Sequence, residues 1–306
     1  MSKFEERFKK EAECFDLIST ERKSNNQIPD LRVEFVNEYF YNNIWRNSKF
    51  LQAEYGPLVK WIIDSLKSID CSSVVELGSG NGFLSLELAR EGFNVTGLDL
   101  SEDSINIAQT YLNSLSEKDE LSLKYVCKNV MDYKEYSGES IVCFGFLHHL
   151  PPEVLEEIMS YFWEKMNPGQ VLLVVEPRYD YANYEMSALT YALQLSMPNH
   201  FKYKNIQDNA SNHINDIFDE LAENHHEQSE LDNESPSGVI LKIIKNQFKK
   251  VETKYSTAFF DKVIGSIRVD EQDTAELTDL LKRIDEIIIK YNKNFARAIL
   301  IKAVKE

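Results

Sequence analysis

Apolar residues recur every four or five positions through "DLRVEFVNEYFYNNIW", at Leu31, Phe35, Tyr39 and Ile44. The habit repeats in "GPLVKWIIDSLKSI", and this spacing predicts helices across residues 1–70. From Ser73 the period changes. Short β-rich runs ("VVEL", "NVTGLDL", "LSLKYVC", "SIVCFGF" and "VLLVVEP") alternate with helix-like segments that begin near Gly82, Ser101 and Pro152. Strand, helix, strand in this rhythm predicts a parallel, doubly wound sheet. Ser101 with Ser104 downstream, and Pro151-Pro152 followed by Glu153, suit first helical turns. Beyond Pro177 the rhythm stops. Residues 178 to 235 hold aromatics, asparagines, four of the six histidines and helix-like pieces such as "HINDIFDELAENHH". So long a stretch between two strands is uncommon unless it has a function, and it predicts an inserted lid. Within it, "ENHHEQSELDNESPSG" is polar enough to predict a mobile loop. The sheet then resumes, with "GVILKIIKNQF" as a helix, "KVETKYSTAFF" as a strand, "TAELTDLLKRIDEIIIKYN" as a helix and "RAILIKAVK" as a seventh strand. The chain thus divides into a helical extension at 1–70, a core at 71–177, an inserted cap at 178–236 and the remainder of the core sheet at 237–306.

Composition narrows the class. An apolar fraction of 43% and a charged fraction of 27% over 306 residues describe an ordinary globule with one sizeable core. The net charge of -16 repels a phosphate backbone, and the lysines are scattered among acids, so a nucleic-acid substrate is excluded. Cys14, Cys71, Cys127 and Cys143 show no paired spacing and suit a reducing compartment. The charged start "MSKFEERFKKEAECF" has no apolar signal region. No apolar run approaches the roughly 18 residues of a membrane span. A cytoplasmic protein with no membrane partner is the expectation, and a homodimer stays open beside a monomer.

Three glycines, Gly78, Gly80 and Gly82, sit between the first strand and the first helix of the core, in "VVELGSGNGF". Glycine lets a backbone turn tightly and lets a ligand approach without a Cβ in the way. Asp99 ends the next strand, 21 residues beyond Gly78, where a carboxylate can accept from both hydroxyls of a ribose. A dinucleotide loop wants its third glycine one place later, at Phe83. Glu76, just before the loop, is unwelcome beside a pyrophosphate and tolerable beside a cation. The loop therefore favours a nucleoside carrying a positive group.

With these residues the sequence resembles the class I S-adenosylmethionine-dependent methyltransferases, well over 73–177 and through element order over 237–305. The resemblance implies an α/β fold: a Rossmann-like, doubly wound, mostly parallel seven-stranded sheet, here with a helical N-terminal extension and an inserted helical cap. It implies S-adenosyl-L-methionine as cofactor. "VVELGSGNG" resembles the motif under the methionine part, with Glu76, Gly78, Ser79, Gly80 and Gly82. "GLDLS" resembles the ribose motif, with Asp99 and Leu100. "KYVCKNVMDY" is similar to the adenine motif but carries Asn129 where an acid is usual, with the Val130 N–H beside it. "CFGFLHHLPPEV" resembles the fourth strand and its turn, where Phe144 or Phe146 walls the adenine or the acceptor. "MNPGQVLLVVEP" resembles the fifth strand.

Methyl transfer is an in-line displacement, so the protein positions an acceptor and removes a proton where one must go. Residues after strands four and five are the ones to examine. His149 falls where several small-molecule O-methyltransferases place a histidine, which makes it the candidate base for a hydroxyl acceptor; its alternative role is to fix the turn before Pro151. His148, Glu176 and Arg178 are the candidate substrate-binding residues, with a local ion pair as the plainer reading of the last two. His200, His213, His225 and His226 lack ligand spacing, so no metal is expected. Tyr179, Tyr181, Tyr184, Tyr191, Phe201 and Tyr203 suit a lid over an organic acceptor, and Trp45 and Arg46 suit closure over the cofactor's amino-acid end or helix packing. The expected function is methyl transfer to an oxygen or nitrogen of a small molecule or short peptide. Alternatives are modification of a ribosomally made peptide or carrier-bound intermediate, and a non-catalytic partner of the same fold, which the intact glycines and Asp99 disfavour.

Overall fold

The computed structural model describes residues 3–24, 30–33, 48–201, 214–223, 234–265 and 271–306. Phe35, Tyr39, Ile44, Trp45, Arg46, Tyr203, His213, His225 and His226, and the core of the polar run 224–233, lie outside the described residues. Seven strands form one sheet: β1 (Ser73–Leu77), β2 (Asn94–Asp99), β3 (Leu123–Cys127), β4 (Ser140–Phe144), β5 (Val171–Pro177), β6 (Lys250–Ser256) and β7 (Ala298–Val304). Their order is β3-β2-β1-β4-β5-β7-β6. The first five run parallel, and β7 is antiparallel to both neighbours. The strand order reverses between β1 and β4. Ligands of open α/β sheets collect in the crevice at such a switch point, outside the carboxyl ends of the strands.

Helices α1 (Lys3–Ser24) and α2 (Ser48–Lys67) precede the sheet. Helices α3 (Phe83–Arg90), α4 (Glu102–Ser114) and α5 (Pro152–Lys165) join its parallel strands. Helices α6 (Tyr184–Ser196) and α7 (Ile214–Glu223) follow β5, and α8 (Ser237–Gln247), α9 (Phe260–Gly265) and α10 (Glu271–Tyr291) complete the chain. Successive strand residues face opposite sides, so the apolar runs supply two cores at once. On one side Val75, Leu77, Ile141, Cys143, Leu172 and Val174 pack against Leu155, Ile158 and Phe162 of α5 and Ile240 and Ile244 of α8. On the other, Val74, Val95, Val142 and Leu173 pack against Ile62 and Leu66 of α2 and Leu84 and Leu88 of α3. Each such side chain contributes about 1.5–3 kcal/mol by leaving water, which is why the strands read as continuous apolar runs rather than alternating ones.

The sixth strand is shorter than its apolar run suggests. Thr257 adopts φ +54, and the carboxylate of Asp285 on α10 accepts from the amides of Ala258 (2.6 Å), Phe259 (3.0 Å) and Phe260 (3.2 Å). The residues that read as strand end are thus turned off the sheet edge and into a core with Phe50 and Leu281. No helix among the described residues is long and apolar enough to cross a membrane.

Candidate functional site

The loop after β1 is set by its glycines. Gly78, Gly80 and Gly82 have φ of +72°, +50° and +88°, where a side chain is costly. A Cβ on Gly78 would stand 2.4 Å from the Phe146 ring, and one on Gly82 would stand 2.4 Å from the Tyr125 hydroxyl. That hydroxyl donates to the Gly82 carbonyl at 2.9 Å, locking the loop to β3. Gly80 differs, since nothing lies within 4 Å of where its Cβ would be. Two glycines serve packing, and the middle one keeps a space open.

Asp99, at the end of β2, faces that space. Its Oδ2 accepts from the Gly80 amide at 2.7 Å and its Oδ1 from the Ser101 amide at 2.9 Å. Burial pushes its pKa above the usual carboxylate range, and these amides offset only part of the rise. A carboxylate has lone pairs beyond these two bonds, so ribose hydroxyls can still be accepted. The Ser79 hydroxyl is buried and has no hydrogen-bond partner, which marks a polar group the loop is built to receive. Glu76 is buried behind the loop and accepts from the Ser85 hydroxyl. Burial pushes it up to about 8, and the nearby charge of Asp99 adds to the rise. Asp285 is likewise raised, to about 7, chiefly by burial.

These two raised values carry a sign. Between the unfolded carboxyl range and about 7–8 the native state holds protons that the unfolded chain has released, so stability falls as pH rises through that window. Denaturant unfolding of the ligand-free protein is expected to give a higher midpoint at pH 5.5 than at pH 8, and Glu76→Gln should flatten the difference. A midpoint that climbs towards pH 8 would contradict the burial of these acids.

Of the residues expected to hold an adenine, Leu100 is half-buried and Val130 is buried. The Asn129 side-chain oxygen accepts from the Met131 amide at 2.9 Å and so caps the turn at 130–132. Phe144 leaves β4 towards Phe83 and Tyr55, with ring centroids 5.6 and 5.3 Å away. Phe146, on the other side of Gly145, lies against Gly78.

The loop after β4 is held by Glu176, a fully buried acid at the end of β5. Its Oε1 accepts from the amides of Phe146 (3.0 Å) and Leu147 (2.7 Å), and its Oε2 lies 2.6 Å from Nδ1 of His148. The His148 and His149 rings are 4.1 Å apart, and Nδ1 of His149 lies 3.0 Å from Glu11 of α1. Arg178 faces elsewhere: it donates to the carbonyls of Lys293 (2.8 Å) and Ala296 (2.9 Å), with its guanidinium against Tyr181 and Tyr255. It ties the end of β5 to the start of β7. Tyr184 stacks on Phe218 of α7 at 4.2 Å, a contact between the two helices that follow β5. Among the described residues no group of three His, Cys, Asp or Glu side chains could hold a metal ion.

Helix α1 was not legible as part of this site. It crosses the strand ends with one face: Phe15 meets His149 edge-on at 5.3 Å, Asp16 accepts from the Ser101 hydroxyl at 2.6 Å, and Ser19 donates to Asn81 of the glycine loop at 3.2 Å. The spacing of Glu11, Phe15 and Ser19 by four is the only signal for it in the sequence, and it does not say what the face covers.

Residues 74–169 match the methyltransferase domain family. The chain contains a class I S-adenosylmethionine-dependent methyltransferase domain. A ubiquinone biosynthesis O-methyltransferase of Hydrogenovibrio crunogenus (strain DSM 25203 / XCL-2) is 35% identical over 36% of this chain and 46% of its own length. A putative methyltransferase of Bacillus subtilis (strain 168) is 30% identical over 40% of this chain and 48% of its own. The chain thus spans about half the length of the curated relatives it matches. The solved magnesium protoporphyrin IX methyltransferase of Synechocystis PCC 6803 is 14% identical, covering 90% of this chain and 91% of that one, with a TM-score of 0.47. The methyltransferase domain's loop fits its cofactor on its own chemistry: an open bed at Gly80, an unpartnered Ser79 hydroxyl, and the Asp99 carboxylate at the end of β2 with lone pairs left for a ribose.

Proposed function

We propose that the protein methylates an oxygen or nitrogen of a small organic molecule or short peptide, with a hydroxyl as the favoured acceptor. The observation that carries this reading is the buried His148–Glu176 pair, which lies one turn of chain from the Phe146–Gly78 contact and so beside the loop that would bed the cofactor. S-adenosylmethionine, when bound, supplies a methyl group on a positively charged sulfur that departs as a neutral thioether. The chain's part is to hold and to exclude water. Gly78, Ser79, Gly80 and Gly82 would bed the amino-acid end, Asp99 the ribose, and Leu100, Asn129 and Val130 the adenine. Helix α1 covers the crevice from above. Arg178 is committed to backbone carbonyls away from the crevice, and Arg7 of α1 to Glu234. Glu176, Glu11 and Phe15, which meet the histidine pair, are acidic and aromatic, and this favours a neutral or cationic acceptor over a phosphate or carboxylate. The segment 178–236 would act as the cap that selects the acceptor, with a peptide acceptor as the second occupant. The four cysteines, which show no paired spacing, support a cytoplasmic setting.

The test is incubation with methyl-labelled S-adenosylmethionine and a metabolite or peptide extract of the source cell. A labelled small molecule carrying a methoxy or methylamino group is expected. Label on nothing, with the cofactor bound, would sink the enzymatic reading.

A further inference from the structure

Strands β6 and β7 are antiparallel neighbours, a pairing that a turn of a few residues can join. The chain instead spends residues 257–297 between them, and helix α10 fills about half of that length. Its inward face is in use: Asp285 holds the turn at 258–260, and Leu281 is buried in one core with Phe259 and Phe260. Its outward face carries Leu277, Leu280, Ile284, Ile287 and Tyr291, apolar at spacings of three, four, three and four. That repeat runs as one seam along a helix and is the pattern by which two helices pack side by side. Leu277 and Ile284 are partly covered by the core beneath, but Leu280 is 52% exposed, Ile287 56% and Tyr291 87%. Three of the seven large apolar side chains that stand exposed among the described residues thus fall on one line of one helix. Scattered singly they would need no explanation; aligned, they mark a surface built to be covered.

The charges beside the seam say what covers it. Glu276, Arg283 and Lys290 follow it along one flank at intervals of one heptad, and all three are exposed. The flank is therefore acidic towards the N-terminal end of α10 and basic towards its C-terminal end. Laid against a second copy running the same way, it would set glutamate against glutamate and lysine against lysine. Reversed, it sets Glu276 against Lys290 twice over, and the same two-fold axis brings Leu280 to Ile287, Leu277 to Tyr291 and Ile284 to itself. Arg283 alone meets its like, and Asp279 and Glu286, exposed one turn to either side of it on the same helix, offset that repulsion. We propose that the protein forms a two-fold dimer through α10, antiparallel to the α10 of the second copy and centred on Ile284. One helix pair is a small interface, so the dimer is a reversible one.

Sedimentation equilibrium of the full chain tests this. The wild type is expected to pass from monomer to dimer between about 1 and 200 µM, the strength open to a small interface. Ile287→Glu places a charge in the exposed half of the seam and should weaken the dimer by about tenfold or more, with the denaturant midpoint of the monomer unchanged. Glu276→Lys sets lysine against lysine at both ends and should weaken it by about five- to tenfold at low salt. Adding Lys290→Glu to that variant restores both pairs in reverse and should return the association to wild-type strength. A chain that stays monomeric at about 200 µM overturns the proposal, as does a dimer that Ile287→Glu leaves intact. So does a double charge variant that associates no better than Glu276→Lys, since the copies would then not meet reversed along this seam. A monomer that Ile287→Glu destabilises would likewise overturn it, because the seam would then be covered by another part of the same chain. None of these measurements needs cofactor or acceptor, so they stand or fall apart from the proposed reaction.

Discussion

Replacing Asp99 by alanine is expected to weaken S-adenosylmethionine binding by about 10- to 150-fold. Hydrogen bonds to a charged acceptor contribute about 1.5–3 kcal/mol, and the ribose hydroxyls would lose theirs. The structure adds a second loss. The same carboxylate holds the amides of Gly80 and Ser101, so its removal leaves two backbone donors unsatisfied and loosens the loop that beds the ligand. Asparagine does not repair this, because one of its ends is an NH2 that would face an amide N–H. Asp99→Asn should therefore lie much closer to alanine than to wild type. Calorimetric titration of the three proteins decides the matter, with denaturant unfolding as the control for lost fold. An unchanged affinity in Asp99→Ala would remove the ribose from this acid and leave it a purely structural link between β2, the glycine loop and α4.

How far the sequence foretold this arrangement depends on how local each demand is. The three glycines and Asp99 were readable because a tight turn between strand and helix imposes left-handed backbone angles within five residues, and only glycine meets them cheaply. The strands were readable because burial on both faces writes continuous apolar runs. Glu176 and Arg178 were readable as residues at a strand end and not as partners. Their bonds run to Phe146, Leu147 and His148 in one case and to Lys293 and Ala296 in the other, across 28 to 118 positions. Nothing in the local pattern "VVEPRYD" distinguishes an acid that meets a ligand from one that braces the neighbouring loop. Helix α1 was hidden for a related reason. Much of its inward face is polar (Glu11, Asp16, Ser19), so it carries a weak apolar stripe and reads as a solvated helix.

Gly78→Ala and Gly80→Ala should fail in opposite ways. Both residues sit at positive φ, and an alanine there costs about 1–2 kcal/mol. At position 78 the new methyl also meets Phe146 at 2.4 Å on the ring and 2.8 Å on its Cβ, atoms too close to the backbone to swing clear. The loop after β4 must shift, which strains the amides that Glu176 holds, and overpacking of this kind adds about 1–3 kcal/mol. Gly78→Ala is therefore expected to lose about 2–5 kcal/mol of stability with or without ligand. At position 80 no atom lies within 4 Å of the methyl, so the ligand-free protein should lose only the backbone cost. The methyl instead fills the bed in front of the Asp99-bound amide, and S-adenosylmethionine affinity should fall at least tenfold. Denaturant unfolding without ligand and calorimetry with it distinguish the two. If Gly80→Ala binds the cofactor as the wild type does, the open space at residue 80 does not bed the ligand, and the cofactor must lie elsewhere along the crevice.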